Sequence, residues 1–293
     1  MDVIRPEEFD VAVAGGTLRV CRWPGDGPVV LAAHGITANA LAWAEVARSL
    51  AGRVTLVAPD LRGRAGSRGV AAPYGLAAHA DDLVAVLDQL GLDRAPVAGH
   101  SMGAFVAAIA AVRHPDRVAS VLLVDGGVAL PTPPGADIDA ILQAVIGPAM
   151  QRLSMTFPTT GAYLDFFRAH PALIEAWRPS VAAYVQRDLV GEAPELRSSC
   201  VLDAIRADAT DTLLDPRTTR AVHDLACPAR LLLAERGLLN EPQALYDDAR
   251  LALVGLDRER VAVHLVPGTN HYTILLEPAA AARVAQDILT LAR

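Results

Sequence analysis

The sequence predicts an α/β fold: a doubly wound, mostly parallel sheet with a helical cap inserted into it. Three observations predict this. Short, continuous apolar runs such as "VVLAA", "TLVAP" and "ARLLLA" read as strands buried on both faces, the pattern of parallel sheets. Stretches with helical spacing alternate with those runs, which implies strand–helix–strand crossovers. Between residues 131 and 225 the rhythm stops, and Phe157, Tyr163, Phe166, Phe167, Trp177 and Tyr184 gather there.

Taken in order, "FDVAVAGGTLRVCRW" alternates around Gly15-Gly16 and predicts a β-hairpin. "GPVVLAAHG" is a buried strand ending at His34-Gly35. "WAEVARSLAG" has helical spacing and a glycine stop. "RVTLVAPD" is the next strand, followed by the polar loop "LRGRAGS". Arg62 and Arg64 of that loop read as surface arginines that cap or bridge, with contact to an acidic substrate group as the second reading. "LAAHADDLVAVLDQLGL" is an amphipathic helix with Leu76, Leu83, Val86, Leu87 and Leu90 on one face and Gly91 at its end. "APVAG" is a strand, and "AFVAAIAAVRHP" a helix that stops before Pro115. "VASVLLVDGG", "ARLLLAERG" and "RVAVHLVPG" are strands, and "PAAAARVAQDILTLAR" closes the chain as a helix.

The segment 131–225 opens on the proline cluster "LPTPPG". It leaves one strand end and returns just before the next strand, so it reads as a cap over a core domain formed by 1–130 and 226–293. Extra core helices are the competing reading. On the cap reading, replacing the segment with a short linker leaves a folded sheet domain.

Bulk properties narrow the function. The chain of 293 residues carries a net charge of −7, which disfavours nucleic acid or an anionic membrane as partner. Cys21, Cys200 and Cys227 are scattered without metal spacing and predict neither a disulfide framework nor a metal site. The start "MDVIRPEEFD" is polar and acidic, unlike a signal peptide, and "FVAAIAAV" is too short for a membrane span. A cytoplasmic setting is expected. No glycine-rich phosphate or dinucleotide loop is found, so no cofactor is expected.

Residues 97–103, "VAGHSMG", place Ser101 between a strand and a helix with glycines two positions to either side. A serine that projects from such a turn needs a strained backbone, and side chains at 99 and 103 would collide with the adjoining strand and helix. The helix start directs N–H groups and positive potential toward an oxyanion forming at that serine.

Four landmarks then stand in one order: "HGIT" at 34–37, "DLRGRAGS" at 60–67, "GHSMG" at 99–103 and "PGTNHYTIL" at 267–275. Over nearly the whole chain the sequence thereby resembles the α/β-hydrolase fold family, in its serine esterase and lactonase-like branch. The resemblance implies Ser101 as nucleophile, His271 as base, and the backbone N–H groups of Ile36 and Met102 as the oxyanion hole. It leaves the acid open. The usual position is an aspartate in the loop after "ARLLLA", but that loop reads "ERGLLNEP" and offers Glu235 very early and Glu241 late. The family also accepts an acid at the end of the preceding strand, where Asp125 stands. Asp125 is favoured, with Glu235 as the alternative; a turn aspartate bonding Gly126-Gly127 is the competing role for Asp125. Serine rather than aspartate at 101 argues against the dehalogenase and epoxide-hydrolase branches. His34, Gly35, Trp43, Phe157 and Trp177 are expected around an apolar substrate pocket, with Ile36 and Met102.

These residues imply hydrolysis of a medium-sized, fairly apolar ester or lactone through an acyl-enzyme, with no metal and no organic cofactor. An acyltransferase, carbon–carbon hydrolase, perhydrolase or cofactor-free oxygenase is the alternative on the same scaffold, and a non-enzymatic binding protein is a third.

Overall fold

The computed structural model describes residues 4–130, 137 and 151–293. Eight strands form one sheet in the order β1-β2-β4-β3-β5-β6-β9-β10. The hairpin is β1 (Glu7–Val13) and β2 (Gly16–Trp23), which meet at the Val13–Gly16 pair. β2 runs antiparallel to β4 (Thr55–Pro59). From β4 onward every pairing is parallel, through β3 (Val29–Ala33), β5 (Ala95–His100), β6 (Val118–Val124), β9 (Ala229–Ala234) and β10 (Val261–Val266). β4 lies on one side of β3 and β5 on the other. The chain therefore reverses its winding at β3, and a crevice opens beyond the carboxyl ends of β3 and β5.

The sheet is covered on both faces. On one lie α2 (Leu76–Gln89) and α3 (Met102–Arg113), with Leu76, Leu83, Val86 and Leu87 packed against strand residues such as Leu31, Val97 and Leu231. On the other lie α1 (Ala44–Leu50) and a long C-terminal helix, Pro278–Leu291, against Ala32, Ala98 and Leu232. The alanine-rich α3 is buried on nearly all sides, which its composition allows because small side chains let helix and strands approach closely.

Between β6 and β9 the described chain forms α4 (Thr160–Arg168), α5 (Pro179–Arg187), a two-residue ribbon β7 (Leu189–Val190) and β8 (Arg197–Ser198), α6 (Leu202–Leu214) and α7 (Pro216–Arg220). Thr159 caps α4 through its hydroxyl, and Asp215 caps α7 through its carboxylate. The proline cluster of 131–135 lies outside the described residues. After β9 come α8 (Asp248–Leu253), α9 (Thr273–Leu276) and α10, the helix Pro278–Leu291.

The loop after β4 departs from expectation. Arg62 and Arg64 are not surface residues; each is fully buried and ion-paired, Arg62 with Asp82 and Arg64 with Asp208. The sequence shows their charge but not the distant carboxylates that make burial tolerable. All three cysteines are free thiols. No helix among the described residues is long and apolar enough to cross a membrane.

Candidate active site

Ser101 stands between β5 and α3 with φ 55 and ψ −124, a backbone that side chains other than glycine rarely adopt. Such a residue costs about 1–3 kcal/mol and persists only where its surroundings fix it. Here the Ser101 N–H donates to Val124 O at 3.0 Å and Ser101 O accepts from Ala104 N at 3.0 Å. The glycines make room. A Cβ on Gly99 would lie 2.0 Å from Gly103 O, and one on Gly103 would lie 2.2 Å from Ala33 O. Gly126 is a third such position: a Cβ there would lie 2.2 Å from Ser101 O. The sequence showed Gly126 only as a turn residue, because its contact is with another strand's end.

His271 follows β10, and its Nδ1 lies 2.6 Å from Asp125 Oδ2. Both side chains are buried. Asp125 has φ 45, and its Oδ1 accepts the Ala234 N–H at 3.0 Å. The carboxylate thus spans from β9 to His271 instead of bonding its own Gly126-Gly127 turn. With Nδ1 directed at the carboxylate, Nε2 is the imidazole nitrogen left for proton transfer. Glu235 is elsewhere: it is exposed, and its Oε2 accepts the Gly268 N–H at 2.5 Å. Glu241 is exposed as well and accepts from Leu239 N.

Two cavities meet at Ser101 and His271. One, of about 40 Å3, is walled by Gly35, Ile36, His100, Tyr184, Tyr272 and Leu276 among others. The other, of about 70 Å3, is walled by Ile36, Met102, Phe105, Gly126, Leu213 and Tyr246 among others. Leu238 of the loop after β9 reaches both. Gly35 lies so near the serine that a Cβ there would stand 3.6 Å from Ser101 Oγ. Met102 opens α3, where an N–H has no intrahelical carbonyl to bond.

Four residues expected around the pocket line neither cavity. Trp43 and Phe157 are buried in the hydrophobic core on the α1 face. Trp177 is half-buried with the Arg168 guanidinium over its ring at 4.9 Å. His34 is fully buried and joins backbone segments: its Nε2 accepts the Leu61 N–H at 2.9 Å, which leaves Nδ1 to donate to Gly35 O at 2.8 Å. Burial pushes the His34 imidazole down to about 3, so it is neutral. The sequence missed Leu238, Tyr246, Phe105 and His100. Leucines in the otherwise polar loop "ERGLLNEP" at a strand's carboxyl end were the available signal for the first.

His100 packs against His271. Its Nε2–H donates to His271 O at 2.8 Å, and the two rings lie 4.7 Å apart. Burial, then the neighbouring His271, hold the His100 imidazole well below its ordinary range, so a neutral ring faces His271. Tyr246 Oη donates to Val128 O at 2.8 Å and fixes the turn after β6.

Known proteins resemble the chain in sequence and in fold. A family described as alpha/beta hydrolase fold matches residues 28–152. An uncharacterized protein of Mycobacterium tuberculosis is 36% identical over 124 residues, 42% of this chain and 36% of its own length. The chain thus spans about a third of that relative. The 2-(acetamidomethylene)succinate hydrolase of Mesorhizobium japonicum is 29% identical over 263 residues, covering 89% of this chain and 87% of the relative. The crystal structure of an E-2-(acetamidomethylene)succinate hydrolase superposes with a TM-score of 0.76 at 24% identity, over 97% of this chain and 100% of that one. By its sheet order and by these likenesses, the chain has the alpha/beta hydrolase fold.

Proposed function

We propose that the protein is a serine hydrolase that cleaves a carboxylic ester or lactone through an acyl-enzyme. The observation that carries this is Ser101 on its strained turn, sharing both cavity walls with a His271 whose Nδ1 is held by Asp125. His271 Nε2 takes the proton as Ser101 Oγ attacks the carbonyl. The N–H groups of Ile36 and Met102 hold the tetrahedral oxyanion. His271 then passes the proton to the departing alcohol, and water repeats the steps to release the acid. Asp125 stabilises the transient imidazolium.

The walls support the substrate class. Apart from Asp125, which is engaged with His271, the described lining residues are apolar or uncharged, His100 included. A dicarboxylate such as the succinate in the Mesorhizobium relative's name would meet no arginine among the described lining residues. An ester with one apolar limb in each cavity fits instead, and cavities of about 40 and 70 Å3 suit short limbs better than the medium-sized substrate expected from the sequence. The chain between β6 and β9 acts as the cap, with Tyr184 and Leu213 closing over the nucleophile from opposite sides.

The test is a panel of p-nitrophenyl esters of rising chain length, with small lactones, run on the wild type and on Ser101→Ala beside fluorophosphonate labelling. Turnover and labelling that both vanish with Ser101 are expected, with short chains preferred. Labelling without turnover on any ester would overturn the ester reading and favour transfer or carbon–carbon cleavage.

A further inference from the structure

The structure assigns Arg64 a positioning role: its buried guanidinium braces the two residues whose N–H groups form the proposed oxyanion hole. This rests on the hydrolase reading above. Arg64 Nε donates to Ile36 O at 2.9 Å, and Nη2 points at Met102 Sδ at 3.9 Å. Nη1 donates to Arg62 O at 2.7 Å and meets Asp208 Oδ2 at 2.5 Å. One side chain therefore touches both halves of the hole from behind while its charge is answered from α6.

The loop it braces is held at Gly35 O by the Ala38 N–H at 3.1 Å and by His34, and Arg64 adds a hold at the next carbonyl. β3 ends at Ala33, so Ile36 and Thr37 lie beyond the sheet's own hydrogen bonds. Gly35 precedes them and gives the backbone little resistance to rotation. Fixing the Ile36 carbonyl fixes the neighbouring peptide, whose N–H must point at the substrate oxygen. A second buried arginine continues the brace: Arg152 Nη2 donates to Thr37 O at 3.4 Å, and Arg152 is paired with Asp188. Two successive carbonyls are thus held by two guanidiniums, each neutralised by a carboxylate from the chain between β6 and β9.

Stability alone does not account for the arrangement. Taking a guanidinium out of water costs several kcal/mol, and apolar replacement of a buried ion pair is often neutral or stabilising. Arg62 supplies the comparison. It is equally buried in the same loop and paired with Asp82, but its other bonds go to Ala71, Pro73 and Ala14. Arg62 ties the loop to α2 and the hairpin, whereas Arg64 ties it to the hole.

Two double variants separate the two roles: R64M/D208N, which removes the Arg64–Asp208 pair and alters the partner of His79, and R62M/D82N, which removes the Arg62–Asp82 pair, with Ser101→Ala alongside. Thermal melts, kcat and KM on p-nitrophenyl butyrate, and inhibition by a trifluoromethyl ketone are read for each. That ketone forms an oxyanion at the serine, so its affinity reports the hole directly. For R64M/D208N we expect kcat to fall about thirtyfold or more, KM to change little, and ketone affinity to fall in parallel, as for loss of an oxyanion donor. R62M/D82N is expected to shift the melt and keep kcat within about threefold. Equal losses of kcat in both, or an unchanged kcat and ketone affinity in R64M/D208N, would overturn the assignment. Should R64M/D208N fail to fold, R64K keeps the charge and the ion pair but lacks the forked donors. A tenfold or greater loss of kcat in R64K supports the role, and wild-type kcat overturns it. A wild type without Ser101-dependent fluorophosphonate labelling would remove the hydrolase reading and this role with it. Labelling that is present and indifferent to Arg64 removes this role alone.

Discussion

Asp125 and Ser101 carry the two positive φ angles at the site, 45 and 55, and each is held by a hydrogen bond to a neighbouring strand. Their side chains are thereby aimed by the sheet rather than by loops. Asp125→Asn is expected to lower kcat about a thousandfold or more with the fold retained, because an amide at Nδ1 misdirects the imidazole. Glu235→Gln should stay within about threefold, since its carboxylate serves the Gly268 N–H. Paired ester kinetics and melting curves check both, and the reverse pattern would move the acid to Glu235. The meeting of Ser101, His271 and Asp125 could be anticipated because strand ends can be read from apolar runs: Ser101 and Asp125 directly follow β5 and β6, and His271 stands in the loop after β10. Trp43 and Phe157 were not: an apolar aromatic residue looks alike in sequence whether it faces a cavity or the core, and here both are buried. Arg64 was illegible for a different reason, since only the fold brings Asp208 to it.

The described chain between β6 and β9 is two kinds of structure. Phe157, Tyr163, Val181 and Tyr184, from the stretch through α4 and α5, pack into the core on the α1 face. After α6 the chain turns into the opposite core, where Ala221, Val222 and Leu225 join Leu231, Val106 and Phe105. Asp208 also accepts the Gly75 N–H at 2.8 Å, and Asp211 accepts the Leu76 N–H at 2.9 Å, so α6 caps the start of α2. We therefore expect that replacing 131–225 with a short linker unfolds the molecule, contrary to the simple cap expectation, as Arg64 and His79 would both lose Asp208. Circular dichroism and a urea titration of that deletion check it; a cooperative transition with native helix content would restore the removable cap. The alternation of strands and helices outside this region was readable except for the short helix Asp248–Leu253 between β9 and β10, which was not assigned from the sequence. Within it, packing on two faces leaves no single periodicity to read.

For the whole molecule, burial of neutral histidines sets the acid limit. The His34 imidazole lies at about 3 in the fold against an ordinary value of 6.5, and His100 is lowered in the same sense. Above pH 6.5 both are neutral folded or unfolded and contribute no pH dependence. Below it the unfolded chain takes protons that the folded chain refuses, so stability drains away from about 6.5 down to about 3. Each such histidine contributes a slope of about 1.4 kcal/mol per pH unit. At lower pH the Asp208 carboxyl adds to the loss: burial acts to raise it, but Arg64 and His79 hold it below its ordinary value of 3.8. Urea midpoints should be level between pH 9 and 7 and fall steeply from 6 to 4. A midpoint unchanged at pH 5 would show that these rings are protonated in the fold. The placement of the nucleophile at the seam of two cavities has a consequence for the order of events. In the proposed reaction the alcohol departs first, and the chamber it empties is the one through which the next nucleophile reaches the acyl group. Water and a small alcohol would enter by the same door, so hydrolysis and transfer become rival fates of one intermediate, decided by what fills the vacated chamber.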